Sequence, residues 1–136
     1  MSHRAVNSPR LPDTVGDFGV SGGILAGDTL YLSGQTPLDA NFNVMGKTFE
    51  EQTRAVFDAI TAVLEEAGFT WDDMVKMTAF VHTADRSAIH TYCTILKEYL
   101  ARFSSRSSVA HTYMLMGEMQ IAGMMIEVDG IAVRHR

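Results

Sequence analysis

The amino-acid sequence predicts an α+β domain. Three observations predict it: a β-prone hairpin turned by a glycine, two amphipathic helical segments with readable ends, and three further β-prone runs between and after them.

The hairpin is expected over residues 18–34. Ile24-Leu25 and Thr29-Leu30-Tyr31-Leu32 flank Ala26-Gly27-Asp28, where Gly27 supplies the positive φ of a tight turn. Residues 34–47, with Pro37, Asp39, Asn41, Asn43 and Gly46, carry loop chemistry. Thr48 and Glu51 form a capping box that starts the first helix. Val56, Ala59, Ile60, Val63, Leu64 and Ala67 recur at helical spacing, and Gly68 ends it. Residues 74–82 read as a strand. Asp85 is the expected N-cap of a second helix with the stripe Ile89, Tyr92, Leu96, Tyr99, Leu100 and Phe103. Two more strands are expected near residues 107–116 and 124–133.

Strand–helix–strand steps of right-handed sense place both helices on one face of a mixed sheet. The other face still carries apolar side chains, among them Phe80, Met114 and Met116. An uncovered apolar sheet face predicts association with further copies of the chain.

The 136 residues suit one domain, 1–136, and the 46% apolar content excludes disordered and fibrous classes. No run of 18 apolar residues occurs, and residues 1–10 lack the apolar stretch of a signal peptide. A lone Cys93 fits a reducing compartment, so a cytoplasmic location is expected. The formal charge is −5 and the basic residues are scattered, so neither a nucleic-acid nor a membrane partner is expected.

His3, His82, His90, His111 and His135 form no HxH or HxxxH pair, and there is no cysteine pair, so no metal site is expected. Phosphate-binding glycine loops and a nucleophile elbow are also missing. Binding combined with proton transfer is what this leaves. Arg106, expected to open a strand, offers a rigid fork matched to a carboxylate, and Ser108 would project from the same face. The alternative for Arg106 is a solvated strand end. Glu127 sits in the apolar run Met124-Met125-Ile126-Glu127-Val128, where a partly desolvated carboxylate suits acid–base work. The alternative is an edge-strand glutamate facing solvent, and Asp129 shares its face.

Four blocks then carry a family resemblance. They are Gly27-Asp28-Thr29-Leu30-Tyr31-Leu32-Ser33-Gly34-Gln35-Thr36-Pro37-Leu38-Asp39, Glu51-Gln52-Thr53-Arg54-Ala55 with Ala67-Gly68, Ser105-Arg106-Ser107-Ser108-Val109, and Ile126-Glu127-Val128-Asp129-Gly130-Ile131-Ala132. Together they resemble the YjgF/RidA group of reactive-intermediate imine deaminases, also called L-PSP-type endoribonucleases, over residues 16–134. The resemblance implies a chorismate-mutase-like fold, a homotrimer with sites in clefts between subunits, and hydrolysis of a 2-imino or 2-enamino acid without a cofactor. By position it implies that Arg106 holds the substrate carboxylate, that Ser33, Gly34 and Ser108 orient it, and that Glu127 positions and activates water.

The chain departs from the pattern in places. Phe18 stands where the family has a tyrosine, and His90 where many members have an asparagine. His90 would replace that hydrogen bond or lie on the surface. The segment from His111 to Met125 is several residues longer than usual, and Met114, Met116, Met119, Met124 and Met125 would line a wider pocket or fill a trimer core. An aminomuconate-type deaminase, a non-catalytic carboxylate-binding or chaperone-like module, and an endoribonuclease stand as alternatives.

Overall fold

The computed structural model describes residues 2–135. Its strands join in one sheet of order β1-β2-β3-β6-β4-β5. They are β1 (His3–Val6), β2 (Gly23–Ala26), β3 (Thr29–Gln35), β4 (Met74–Val81), β5 (Ala110–Leu115) and β6 (Ile126–Val133). All pairs are antiparallel except β4–β5, so the sheet is mixed. Two long helices, α2 (Phe49–Ala67) and α3 (Ala88–Phe103), a single turn, α1 (Val15–Phe18), and a 3-10 turn at Trp71–Asp73 accompany the sheet.

Local chemistry fixes α2. The Thr48 hydroxyl accepts from the Glu51 N–H at 3.1 Å, the Glu51 carboxylate accepts from the Thr48 N–H at 3.1 Å, and Gly68 closes the helix at φ +74°. Every expected stripe residue of α2 is buried. Gly27, at φ +62°, turns the hairpin between β2 and β3 as expected. Val56, Phe57, Ile60 and Leu64 from α2 meet Tyr92, Ile95 and Leu100 from α3 over the sheet face formed by Leu30, Met77, Ala79, Val81, Ile126 and Val128. Phe57 is ringed by Trp71, Tyr92 and Tyr99, with centroids 5.1–5.6 Å away, a favourable aromatic spacing.

Several boundaries differ from the sequence expectation. The N-cap of α3 is Ser87, not Asp85; Asp85 instead accepts from the Ser87 N–H and hydroxyl and so sets the turn before the helix. Along α3, Ile95 is buried while Ile89 and Phe103 are exposed, so the buried stripe is narrower than expected. The fifth strand begins at Ala110, where its parallel pairing with β4 starts at Lys76–Ala110. Residues 107–109 therefore lie outside it. The sixth strand starts at Ile126 rather than at 124. Strand β1 was not expected; its pairing with β2 extends the hairpin.

Alternation along β6 and β4 sends Glu127, Asp129, Ile131, Lys76, Thr78 and Phe80 to the face opposite the helices. Tyr31, Met114 and Ile24 are exposed there or at its margins, so the second face keeps its apolar character. Among the described residues no helix is long and apolar enough to cross a membrane.

Candidate active site

A β-bulge builds the centre of the site. Leu32 pairs with Gly130 and Gln35 with Val128, so β3 spends one extra residue at Ser33–Gly34. The bulge turns Gln35 inward, where its amide donates to the carbonyls of Gly22 and Ser33 at 3.1 and 3.0 Å. It also brings Gly34 under the Glu127 side chain. A β-carbon at position 34 would stand 2.7 Å from Glu127 Cδ, so only glycine leaves room for the carboxylate. The Gln120 side-chain amide donates to Glu127 Oε1.

Glu127 opens into a cavity of about 560 Å³, within the range of small-molecule pockets. Phe18, Ser33 and Gly34 line it with Glu127, so four of the sequence-expected residues meet there. The Ser33 hydroxyl donates to the Ser21 carbonyl at 2.6 Å, and its N–H donates to the Gly22 carbonyl at 3.0 Å. Ser33 thereby ties β3 to the segment that follows α1. Phe18 is the last residue of α1, and its ring lies 6.2 Å from that of Phe42.

Arg106 and Ser108 lie elsewhere, in an open depression shared with Lys97, Leu100 and Ala101. Neither residue is on a strand, so the expected strand-face relation between them is replaced by a common loop. That loop is clamped by Asp72, which accepts from the Ser104 hydroxyl at 2.8 Å, the Ser105 N–H at 2.5 Å and the Ser105 hydroxyl at 2.9 Å. These donors, the Ser105 N–H foremost, hold the Asp72 carboxyl below the usual carboxylate range. The Arg106 guanidinium donates to the Met74 carbonyl at the start of β4.

The sheet sets the separation. Arg106 is tied to Met74, whereas Glu127 pairs with Phe80, six positions further along the same strand. At about 3.3 Å per residue the two ends lie roughly 20 Å apart. No small imino acid spans that within one chain. His90, exposed in the first turn of α3, lines neither region.

The long segment between β5 and β6 reaches the pocket through Gln120 and Ile121, not through methionines. Met114 and Met116 are exposed at the β5 edge, and Met124 is buried. Gln52 anchors the segment from below: its amide donates to the carbonyls of Gly123 and Gly46 at 2.8 and 3.2 Å, and its carbonyl accepts from the Met125 N–H at 2.8 Å. Sequence reading singled out neither Gln120 nor Phe42, because both act across loops with no local pattern. Asp72 had one signal, its place inside the cap run Thr70-Trp71-Asp72-Asp73. Among the described residues no three His, Cys, Asp or Glu side chains cluster to hold a metal.

Comparison with known proteins shows the family and the fold. The family model for Endoribonuclease L-PSP matches residues 11–134. A RutC family protein of Saccharolobus solfataricus is 39% identical over 93 residues, covering 68% of this chain and 71% of that protein. The 2-iminobutanoate/2-iminopropanoate deaminase of Salmonella typhimurium is 28% identical over 134 residues, covering 97% and 98%. The crystal structure of the YjgF gene product of E. coli superposes with a TM-score of 0.84 at 23% identity, covering 97% of this chain and 99% of that one. The chain belongs to the Endoribonuclease L-PSP family, the YjgF/RidA group, and has its α+β fold.

Proposed function

We propose that the chain is an imine/enamine deaminase, converting a 2-imino acid and water into a 2-keto acid and ammonia. The observation that carries this reading is the Glu127 carboxylate, held by Gln120 over the side-chain-free Gly34 at the mouth of a pocket. The similar Salmonella protein, named for this reaction, supports it.

The chemistry asks for little. Water adds its oxygen to the imine carbon, the carbinolamine forms, the C–N bond breaks and ammonia leaves as the C=O forms. Glu127 takes a proton from the attacking water and gives it to the imine nitrogen, then passes the carbinolamine hydroxyl proton to the same nitrogen as it leaves, a role for one well-placed carboxylate. Arg106 pairs with the substrate carboxylate through its planar fork. Because Arg106 and Glu127 lie roughly 20 Å apart along β4, the Arg106 that serves a given Glu127 comes from another copy of the chain. The uncovered sheet face between them provides the contact, and a homotrimer, with three such clefts, is the assembly we assign. The reaction calls on no cofactor, and the scattered basic residues with a charge of −5 give RNA no track to follow.

The test is ammonia and keto-acid release from an imine generated in situ by an amino-acid oxidase. Glu127→Gln and Arg106→Ala each lose activity, and co-expression of the two inactive chains restores part of it. Two inactive variants that stay inactive when mixed overturn the shared site. Arg106-dependent binding of 2-keto acids without any turnover overturns catalysis and leaves a carboxylate-binding module.

A further inference from the structure

Phe42 is the only non-glycine with a positive φ among the described residues, at +65°. A bulky side chain in that region is an outlier, held only when its surroundings over-determine it. Here they do. The Asp39 carboxylate accepts from the N–H groups of Asn41 and Asn43 at 2.9 and 3.0 Å, and the Asp39 carbonyl accepts from the Phe42 N–H at 3.0 Å. Leu38 and Val44 bridge the base of the loop. The strained residue is displayed rather than buried: its ring packs beside that of Phe18, with centroids 6.2 Å apart and planes at 58°, and both rings line the pocket.

Leu11, Leu38 and Ile121 join the two phenylalanines to give the pocket an apolar wall; its polar lining includes Thr14 as well as Ser33, Gln120 and Glu127. The cavity of about 560 Å³ is large for the smallest imino acids, which would leave water against that wall.

We propose that this pocket takes 2-imino and 2-enamino acids bearing a large apolar or aromatic side chain, with Phe42 and Phe18 as the residues that select it. The proposal rests on the deaminase reading of the Glu127 site and adds the substrate's side-chain class. With the imino group beside Glu127 and its carboxylate at Arg106 of a second copy, the side chain is directed to the Phe18–Phe42 wall.

The experiment compares kcat/KM for imines generated from phenylalanine, leucine and alanine, and measures calorimetric binding of the corresponding 2-keto acids. Wild type favours the phenylalanine- and leucine-derived imines over the alanine-derived one by about tenfold or more, the discrimination an apolar pocket supplies. Phe42→Ala and, independently, Phe18→Ala lower that ratio by about tenfold. Turnover that favours the alanine-derived imine, or a ratio that neither variant moves, overturns the side-chain class and leaves the deaminase reading standing. Absence of turnover, with the large 2-keto acids binding more tightly than pyruvate in a Phe42-dependent way, overturns the deaminase reading and upholds the side-chain class. Absence of both turnover and binding overturns both.

Discussion

Gly34 and Glu127 share a contact with no room for a side chain: a β-carbon on Gly34 would stand 2.7 Å from Cδ and 3.0 Å from Cγ of Glu127. The glycine is therefore a steric requirement for where the carboxylate lies. Gly34→Ala is expected to push the carboxylate out of its position beside Gln120. Since an acid–base group contributes about 10²–10⁴-fold, kcat falls by about a hundredfold or more. The bulge leaves Gly34 half-buried at the sheet surface, so thermal unfolding followed by circular dichroism moves little. A variant of wild-type activity would show that Glu127 works from another position.

The Arg106 loop depends on Asp72, although Asp72 touches no part of the pocket. Asp72→Ala removes all three acceptor contacts to Ser104 and Ser105 and frees the loop. The expected result is a KM raised by about tenfold with a smaller change in kcat, because the anchor is misplaced while Glu127 stays. Asp72→Asn keeps an acceptor oxygen and recovers part of the loss.

Protonation gives the same clamp a pH dependence. The folded-state Asp72 carboxyl titrates below its ordinary value, so the clamp is fully in place above the unfolded carboxylate value of about 3.9. It is lost as pH falls through the lower folded value. The Ser105 amide resonance followed by NMR during acid titration reads this directly. A Ser105 amide that does not move below about pH 4 would remove Asp72 as its anchor.

How far the sequence could be read depended on the range of the interaction that decides each feature. Thr48, Glu51 and Gly68 mark α2 because caps are local, and the apolar run around Glu127, with Asp129 on the same face, marks β6 because alternation is local too. Arg106 was misplaced on a strand because its surroundings are set by Asp72 and Met74, more than 30 residues earlier in the chain. Ser87 displaced Asp85 as the N-cap because both residues carry cap chemistry and only the turn geometry chooses between them. The distance from Arg106 to Glu127 follows from sheet register, which no local pattern states. Phe42 was invisible for a related reason: its neighbours Asn41 and Asn43 are the residues expected at positive φ, yet the phenylalanine takes it.

On the far side of β5, His111 and Tyr92 face each other with Nε2 and the phenol oxygen 2.6 Å apart. Burial, with a contribution from Lys76, holds the imidazole below the usual histidine value, and burial pushes the phenol up. The folded protein thus keeps the ring neutral while the unfolded chain takes up a proton at about pH 6.5. Stability from this pair is complete above that value and is lost as pH falls toward the lower folded value. The melting temperature of wild type should decline from about pH 7.5 to about pH 5.5 more than that of His111→Asn, which has no proton to gain. Parallel declines in the two proteins would assign the pH dependence to other groups.

Gln52 connects the core to the pocket. It is 1% exposed, and its side chain satisfies the carbonyls of Gly46 and Gly123 and the N–H of Met125. Gln52→Leu preserves much of the shape and strands those three backbone groups beside an apolar side chain. An unsatisfied buried group costs about 1–3 kcal/mol, but Gly46 and Met125 are only half-buried and Gly123 is exposed, so the expected loss is about 1–3 kcal/mol in all. Urea unfolding should show a lower midpoint at an unchanged slope, which marks a stability loss rather than a change in compactness. The loss is local in origin, because Gly46 ends the Phe42 loop and Gly123 and Met125 follow Gln120 and Ile121 in the segment that walls the pocket. Amide exchange should therefore accelerate first at residues 117–125 and 42–46, and kcat/KM should fall at temperatures where the chain is still folded. Exchange that quickens uniformly across the sheet would mean that Gln52 supports the core alone.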